Sequence, residues 1–396
     1  MATLLAVGEY WWSWADLLVR WLHVIAAIAW IGTSFYFIAL DDHLRAPAEP
    51  RDGIGGESWE IHGGGFYRVD KYAVAPATLP DPLHWFKWEA YTTWLSGLAL
   101  FLVVYYLHAS TFLVDRSVAD LTGGEAIAIS LAGLALAWLV YDGLCRVLGR
   151  DDRALAVAVL ASLTLAAWGA GRLFSGRASY VEVGAMIGTM MAGNVFFVIM
   201  PAQRELVRAK RERREPDPRH NARGKQRSVH NNYLTLPVVF AMLSNHFPFT
   251  YGHRHAWLIL VVLLVLGAWT RHFFNLRHRG RNAWWILVTA AAGVAVLAVL
   301  IRPSTPVLHA AGAAPPFARV QAIVQERCAP CHSLHPTQPG YPAAPLGIRF
   351  DTRAEIETQA GLIAQLAVQT QTMPPGNVTH MTPAERAALA RWLASR

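Results

Sequence analysis

The sequence predicts an all-α fold: a polytopic membrane bundle of about eight helices followed by a small C-terminal helical domain. Three observations carry this expectation. The 396-residue chain is 54% hydrophobic and only 16% charged, contains sixteen Trp and has a mean hydropathy of +0.27, a balance that excludes an ordinary soluble protein. Eight apolar runs have, or nearly have, the roughly 20 helical residues that a hydrocarbon core requires. A C-x-x-C-H unit, Cys328-Ala329-Pro330-Cys331-His332, stands near the C-terminus between amphipathic rather than uniformly apolar segments.

The runs are Leu17 to Leu40, Trp88 to Leu107, Ala126 to Leu144, Ala154 to Ala170, Val181 to Met200, Tyr233 to Phe249, Ala256 to Phe274 and Ala283 to Ile301. A membrane domain over 1–302 follows from them. Pro303, Pro306, Pro315 and Pro316, with intervening Ala and Gly, mark a linker at about 303–312 and a separate domain over 313–396. The segment before Arg20 lacks the basic n-region of a cleavable signal, and the first apolar run is too long for an h-region.

Two thiols at C-x-x-C spacing lie one helical turn apart and can form thioethers to two haem vinyl groups, while the adjacent imidazole reaches the iron. The motif therefore reads as covalent attachment of one haem c. A zinc half-site or redox dithiol is the competing reading, but there is no second C-x-x-C and no βαβ pattern nearby. Met373 in Gln371-Thr372-Met373-Pro374-Pro375-Gly376 is the expected second axial ligand, with Met381 as its rival. Amphipathic segments Pro316 to Arg327 and Thr382 to Ser395 flank this region, the plan of a class I-like cytochrome c. The remaining cysteine, Cys145, reads as a small buried hydrophobe.

Haem c attachment takes place on the outer side of a bacterial inner membrane, which puts the C-terminal domain and, with eight spans, the N-terminus in the periplasm. The basic residues supply an independent test. Arg204 to Arg227 alone carries ten Lys or Arg on a segment assigned inside, whereas the outer segments ahead of the eighth span carry only Arg20, Arg116, Arg172, Arg177 and Arg254. The two arguments agree. The net charge of +8 is thus mainly a topology signal and not a nucleic-acid footprint; Arg204 to Arg227 is expected to be a solvated cytoplasmic loop, with binding of anionic lipid or an acidic partner as the alternative. The lipid bilayer is the expected surrounding, and an oligomer is compatible with the chain.

Ionisable groups within spans are costly and point to function. His23 and His246 share a depth near the outer face and are expected to ligate a b-type haem, with interior hydrogen-bonded histidines as the plainer reading; His84, His230 and His272 lie at inner ends. Glu182 and Asn194 are further intramembrane polar groups. At the inner face, Gly53-Ile54-Gly55-Gly56 and His62-Gly63-Gly64-Gly65-Phe66-Tyr67-Arg68 read as a glycine loop, either flexible or approaching a ligand closely. Together with Leu83-His84-Trp85-Phe86-Lys87-Trp88-Glu89 it is the expected place for a planar polar substrate.

Leu22-His23-Val24-Ile25-Ala26-Ala27-Ile28-Ala29-Trp30-Ile31-Gly32, Leu83 to Gly97, Gly193-Asn194-Val195-Phe196-Phe197-Val198-Ile199-Met200-Pro201 with Gln203-Arg204, and Ser228-Val229-His230-Asn231-Asn232-Tyr233-Leu234-Thr235-Leu236-Pro237 resemble the integral-membrane, cytochrome c-linked urate oxidases over nearly the whole chain. The resemblance implies oxidation of urate to 5-hydroxyisourate with oxygen from water, the electrons leaving through the cytochrome c domain to the respiratory chain, by a terminal oxidase or a soluble cytochrome c. For such an anion, Lys87, Glu89 and Arg68 are the expected catalytic residues, and Tyr67, Trp85, Trp88 and Lys71 the expected substrate contacts. An inner-face site would oblige electrons to cross a core of about 30 Å, which demands either a second carrier or a site nearer the outer face. The alternatives are a quinol-linked membrane cytochrome and a transporter with a tethered cytochrome.

Overall fold

A computed structural model describes residues 2–302, 312–341 and 343–396, with the backbone alone for 2–10 and 13. The linker expected at 303–312 lies outside the described residues except for Gly312. In chain order the helices are α1 (Ala2–His43), α2 (Trp88–Phe101, continued by a π-helix, Leu102–Tyr106), α3 (Ala109–Phe112), α4 (Gly123–Leu148) and α5 (Asp152–Leu173). Then follow α6 (Gly176–Gly193), a π-helix (Asn194–Ile199), α7 (Met200–Arg211), α8 (Pro218–Leu243), α9 (Pro248–Tyr251), α10 (Ala256–His278) and α11 (Trp285–Leu300). The C-terminal unit contributes α12 (Phe317–Arg327), α13 (Arg353–Thr358), α14 (Ala360–Leu362, continued by a π-helix, Ile363–Gln369) and α15 (Pro383–Ala394).

Every expected apolar run is largely helical, and five helices are long and apolar enough to cross a membrane: Trp14–His43, Gly123–Leu148, Asp152–Leu173, the continuous Gly176–Arg211 and Ala256–His278. Their ends are set by local chemistry. Thr122 and Glu125 form a capping box at α4, Asp151 accepts from the Arg153 and Ala154 N–H groups at α5, and Ser175 accepts from the Ala178 N–H at α6, each satisfying donors that the helix itself leaves open. α6 is the central helix, buried along most of its length. The outer helices turn large apolar side chains such as Trp21, Ile28, Val288 and Val299 outward, a surface suited to lipid and costly in water.

One segment departs from the all-α expectation. The glycine-rich stretch forms an antiparallel hairpin, β1 (Ile54–His62) and β2 (Gly65–Tyr72), in which Trp59 faces Arg68 and Glu60 faces Tyr67. Its two-residue turn has φ +57° at Gly63 and +82° at Gly64, the doubly positive geometry of a type I′ turn that glycine adopts without strain. The glycines thus build a turn, and the ladder satisfies the backbone. Tyr36 Oη donates to Glu60 and Lys71 Nζ pairs with Asp41 at 2.5 Å, fixing the hairpin to the end of α1. This is the lower end of the bundle.

At the opposite, upper end sits the C-terminal unit, with its own core of Val320, Ile323, Val324, Leu389 and Trp392 between α12 and α15. Its loop 370–377 fits closely against the bundle: a Cβ at Gly376, where φ is +54°, would lie 2.4 Å from the Val114 carbonyl oxygen. Phe112 and Tyr341 meet across the same junction at 6.2 Å.

Arg327 joins the two long helices of this unit, pairing with Glu385 at 3.0 Å and donating to the Thr379 carbonyl at 2.7 Å. Burial pushes Glu385 up, but hydrogen bonds from Arg327 and the Thr382 N–H outweigh it and hold the carboxyl below the usual glutamate range. A lowered carboxyl contributes stability above its unfolded value of about 4.5 that is lost as pH falls through the folded value. Arg327→Gln is therefore expected to destabilise the unit by about 3 kcal/mol at pH 7, with the gap to wild type narrowing below pH ~4.5. Pulse proteolysis in urea at the two pH values measures it.

Candidate functional site

α12 ends at Arg327, and the chain continues for one further turn: the Cys331 and His332 N–H groups both donate to the Cys328 carbonyl, at 3.2 and 2.9 Å. That turn carries both free thiols and the imidazole. The Phe350 N–H donates to the His332 carbonyl at 2.9 Å, and His332 Nδ1 lies 3.0 Å from the Ile348 carbonyl oxygen. A carbonyl only accepts, so Nδ1 carries the proton and the Nε2 lone pair is left free for a metal. Burial pushes the Cys328 thiol up to about 12 and the Cys331 thiol up to about 11, far from the lowered values of redox-active thiols. Among the described residues no group of three or more His, Cys, Asp or Glu gathers to hold a metal ion. Two neutral thiols one turn apart and an oriented imidazole fit a haem held by thioethers.

The two methionines sit differently. Met381 is 2% exposed within the unit's core, immediately before Thr382, whose side chain caps α15. Met373 is half-buried outside that core, and Arg386 donates to its carbonyl at 2.8 Å. Both methionines line the cavity between this unit and the bundle, Met381 from the packed core and Met373 from the loop.

Deep in the lower half of the bundle a buried polar network surrounds the π-helix that follows α6. Arg227 Nη2 pairs with Asp142 Oδ1 at 2.7 Å, and Nη1 donates to Asn194 Oδ1 at 3.2 Å. Asn194 Nδ2 donates to the Tyr141 hydroxyl at 3.0 Å and to Asn231 Oδ1 at 2.8 Å. Tyr141 in turn meets His230 Nδ1 at 2.8 Å. A π-turn commonly marks a functional position because it re-aims side chains within a helix; here it brings Asn194 between α4 and α8.

Residues 9–302 match the family described as urate oxidase N-terminal. The chain belongs to that family. No curated protein and no solved structure matches it. The urate oxidase N-terminal segment spans the whole bundle and the hairpin, and the C-terminal unit with its C-x-x-C-H turn lies beyond it.

Within the urate oxidase N-terminal segment, the residues expected to form an inner-face site are dispersed. Tyr67 and Arg68 are consecutive in a strand and point to opposite faces of the hairpin. Arg68 lies over Trp59 at 5.7 Å with Asp70 at 3.6 Å, and Lys71 is taken up by Asp41. Lys87 lies over the exposed ring of Trp88 at 5.4 Å, while Trp85 packs against Ala90, Val195 and Met200. Glu89 keeps one buried oxygen without a hydrogen-bond partner. The lower-end cavity, about 440 Å³, includes Lys71 in its lining but not Arg68, Lys87, Trp85 or Trp88.

The histidines divide in the same way. His23 Nδ1 lies 3.0 Å from the Thr93 carbonyl and 3.1 Å from Ser96 Oγ, which orients the ring. His246 is exposed on a 3₁₀ turn after α8, and His84 rests against Phe86. His272 is stacked between Tyr233 and Trp269, with the Tyr233 hydroxyl 2.7 Å from its Nδ1. Sequence reasoning singled out Asn194 and His230 but missed Asp142, Tyr141 and Arg227. Asp142 inside an otherwise apolar run was the available signal.

Proposed function

We propose that the protein is a bacterial inner-membrane oxidoreductase that converts urate to 5-hydroxyisourate. Urate and one water yield 5-hydroxyisourate, two protons and two electrons, with the hydroxyl oxygen coming from water. The urate oxidase N-terminal match supports the substrate. The observation that carries the electron path is the turn on which Cys328, Cys331 and an Nδ1-anchored His332 stand together. In this reading residues 313–396 form a periplasmic cytochrome c domain, with eight spans beneath it and the N-terminus on the same side.

When bound, the haem supplies a one-electron acceptor from which the respiratory chain is served, through a terminal oxidase or a soluble cytochrome c. Cys328 and Cys331 would hold such a haem covalently, and His332 and Met373 would ligate its iron. The Ile348 carbonyl holds the His332 tautomer, and Arg386 holds the backbone of Met373. His23, its Nδ1 already engaged, presents Nε2 and is the half of the b-type pair that the bundle orients; its proposed partner His246 is exposed.

The test is anaerobic. Adding urate to the purified protein without oxygen should reduce the c haem, with two haem equivalents reduced per urate consumed, and a parallel incubation in air should form no peroxide. Reduction by a quinol and not by urate would replace this reading with the quinol-linked one; reduction by neither, with solute flux in vesicles, would favour a transporter.

A further inference from the structure

A second cavity, about twice the volume of the one at the lower end, lies at the upper end of the bundle and outside the C-x-x-C-H turn. It occupies about 950 Å³ between the upper end of the bundle and the C-terminal unit, within the size range of small-molecule sites. Met373 and Arg386 line it from one side and Phe112, Trp168, Arg177 and Tyr251 from the other; Cys328, Cys331 and His332 do not. The cavity therefore lies against the methionine loop, with the thiols and the imidazole outside its lining, although Arg386 on its wall is close enough to Cys328 to interact with it electrostatically.

Its charge is one-sided. Arg172, Arg177, Arg254 and Arg386 face it, and Asp115 is the one carboxylate among the described lining residues. Arg177 is the most informative of these. Its guanidinium lies between two aromatic faces, 5.3 Å from the Phe112 ring and 5.9 Å from the Tyr105 ring, and its buried Nε has no hydrogen-bond partner. The Tyr105 hydroxyl beside it is also buried without a partner. Arg177 is half-buried and lines the cavity, so the outer edge of its guanidinium is within reach of an anion bound there and would form charge-assisted hydrogen bonds with it. At the rim, Arg172 lies 5.2 Å over Trp168, so a flat surface and a cation occur together.

We propose that this cavity between the bundle and the Met373 loop is the site at which the planar urate anion binds. The proposal rests on the reading of urate as substrate and adds its location. Arg177 offers the fork of donors that a delocalised oxyanion accepts in parallel, and Trp168 and Phe112 offer faces for a purine ring. Because Met373 lines the same cavity, the substrate sits beside the loop that carries the axial thioether, and no electron has to cross the roughly 30 Å core. The lower-end cluster also sets cations on rings, Arg68 over Trp59 and Lys87 over Trp88, but the cavity there is lined by neither cation and lies at the opposite end from the Met373 loop.

The experiment uses full-length, haem-loaded protein in nanodiscs, reduced with dithionite so that bound urate has no electron acceptor, and measures binding of labelled urate by equilibrium dialysis. Arg177→Gln should weaken binding by about tenfold or more, as expected for a lost charged hydrogen bond, with the reduced haem spectrum unchanged. Ala387→Cys, on the C-terminal wall of the cavity, supplies a second readout that leaves Arg177 in place: urate should slow its alkylation by maleimide. If wild-type protein binds urate but Arg177→Gln binds equally well and Ala387→Cys is not protected, the cavity is not the site and urate oxidation stands. Weakening by Arg68→Gln in place of Arg177→Gln would move the site to the lower end and overturn the proposal. Absence of both urate binding and urate-driven haem reduction in the wild type would overturn the substrate reading, and this location with it.

Discussion

Serine at both Cys328 and Cys331 is expected to remove covalently bound haem altogether, from one per chain to none, and with it all urate-driven reduction. The argument is chemical before it is structural. A thioether forms only from sulfur, and the exchange of sulfur for oxygen changes little else in a turn held by backbone bonds from Cys331 and His332 to the Cys328 carbonyl. Either single variant retains one thiol and should hold haem by one bond with reduced occupancy. A haem stain of the denatured protein and a pyridine haemochrome spectrum measure the loss directly. Urate binding, measured on the same preparation, should persist if the purine site and the haem-attachment turn are separate. Covalent haem in the double variant would overturn the reading of the motif.

The second large effect lies in the bundle. Asp142→Ala leaves Arg227, 5% exposed, without its carboxylate, and a buried charge stripped of its partner costs about 3–5 kcal/mol. Against a total stability of about 5–15 kcal/mol for a folded domain, that is enough to lower the melting temperature and the yield together. The Arg146 contact to Asp142 at 2.7 Å contributes little, because Arg146 is largely exposed. Asp142→Ala combined with Arg227→Met should recover much of the loss, since it is the orphaned charge and not the missing attraction that costs most. Thermal melts of wild-type, single-variant and double-variant protein in the same detergent close the cycle. A double variant no more stable than Asp142→Ala would show that the network acts through Asn194 and Tyr141 instead.

These two sites differ in how openly the chain declares them. The C-x-x-C-H turn is legible because its chemistry is contained within five consecutive residues and one helical turn. The apolar runs are legible for a similar reason: the bilayer demands a length and a composition, and both can be counted along the chain. The hairpin was hidden because its glycines carry no side-chain pattern, and only the ladder to Phe66–Tyr72 gives them a strand geometry. Tyr67 and Arg68 looked like partners because they are adjacent in sequence, and strand alternation separates them.

Sequence by itself determined the helical bundle, its family and the C-x-x-C-H turn on which the proposal of haem attachment rests. Tertiary structure alone decided the pairing of Asp142 with Arg227, 85 residues apart, and the placement of Arg172 and Arg177 on one cavity wall. In the sequence these arginines count only as two of a few outer-loop charges. In the fold they face a cavity whose far wall is the Met373 loop, about 200 positions further along the chain. Spans and covalent motifs depend on local spacing, which a sequence displays. A binding site depends on which distant surfaces are desolvated together, and that is fixed only when the C-terminal unit closes onto the end of the bundle.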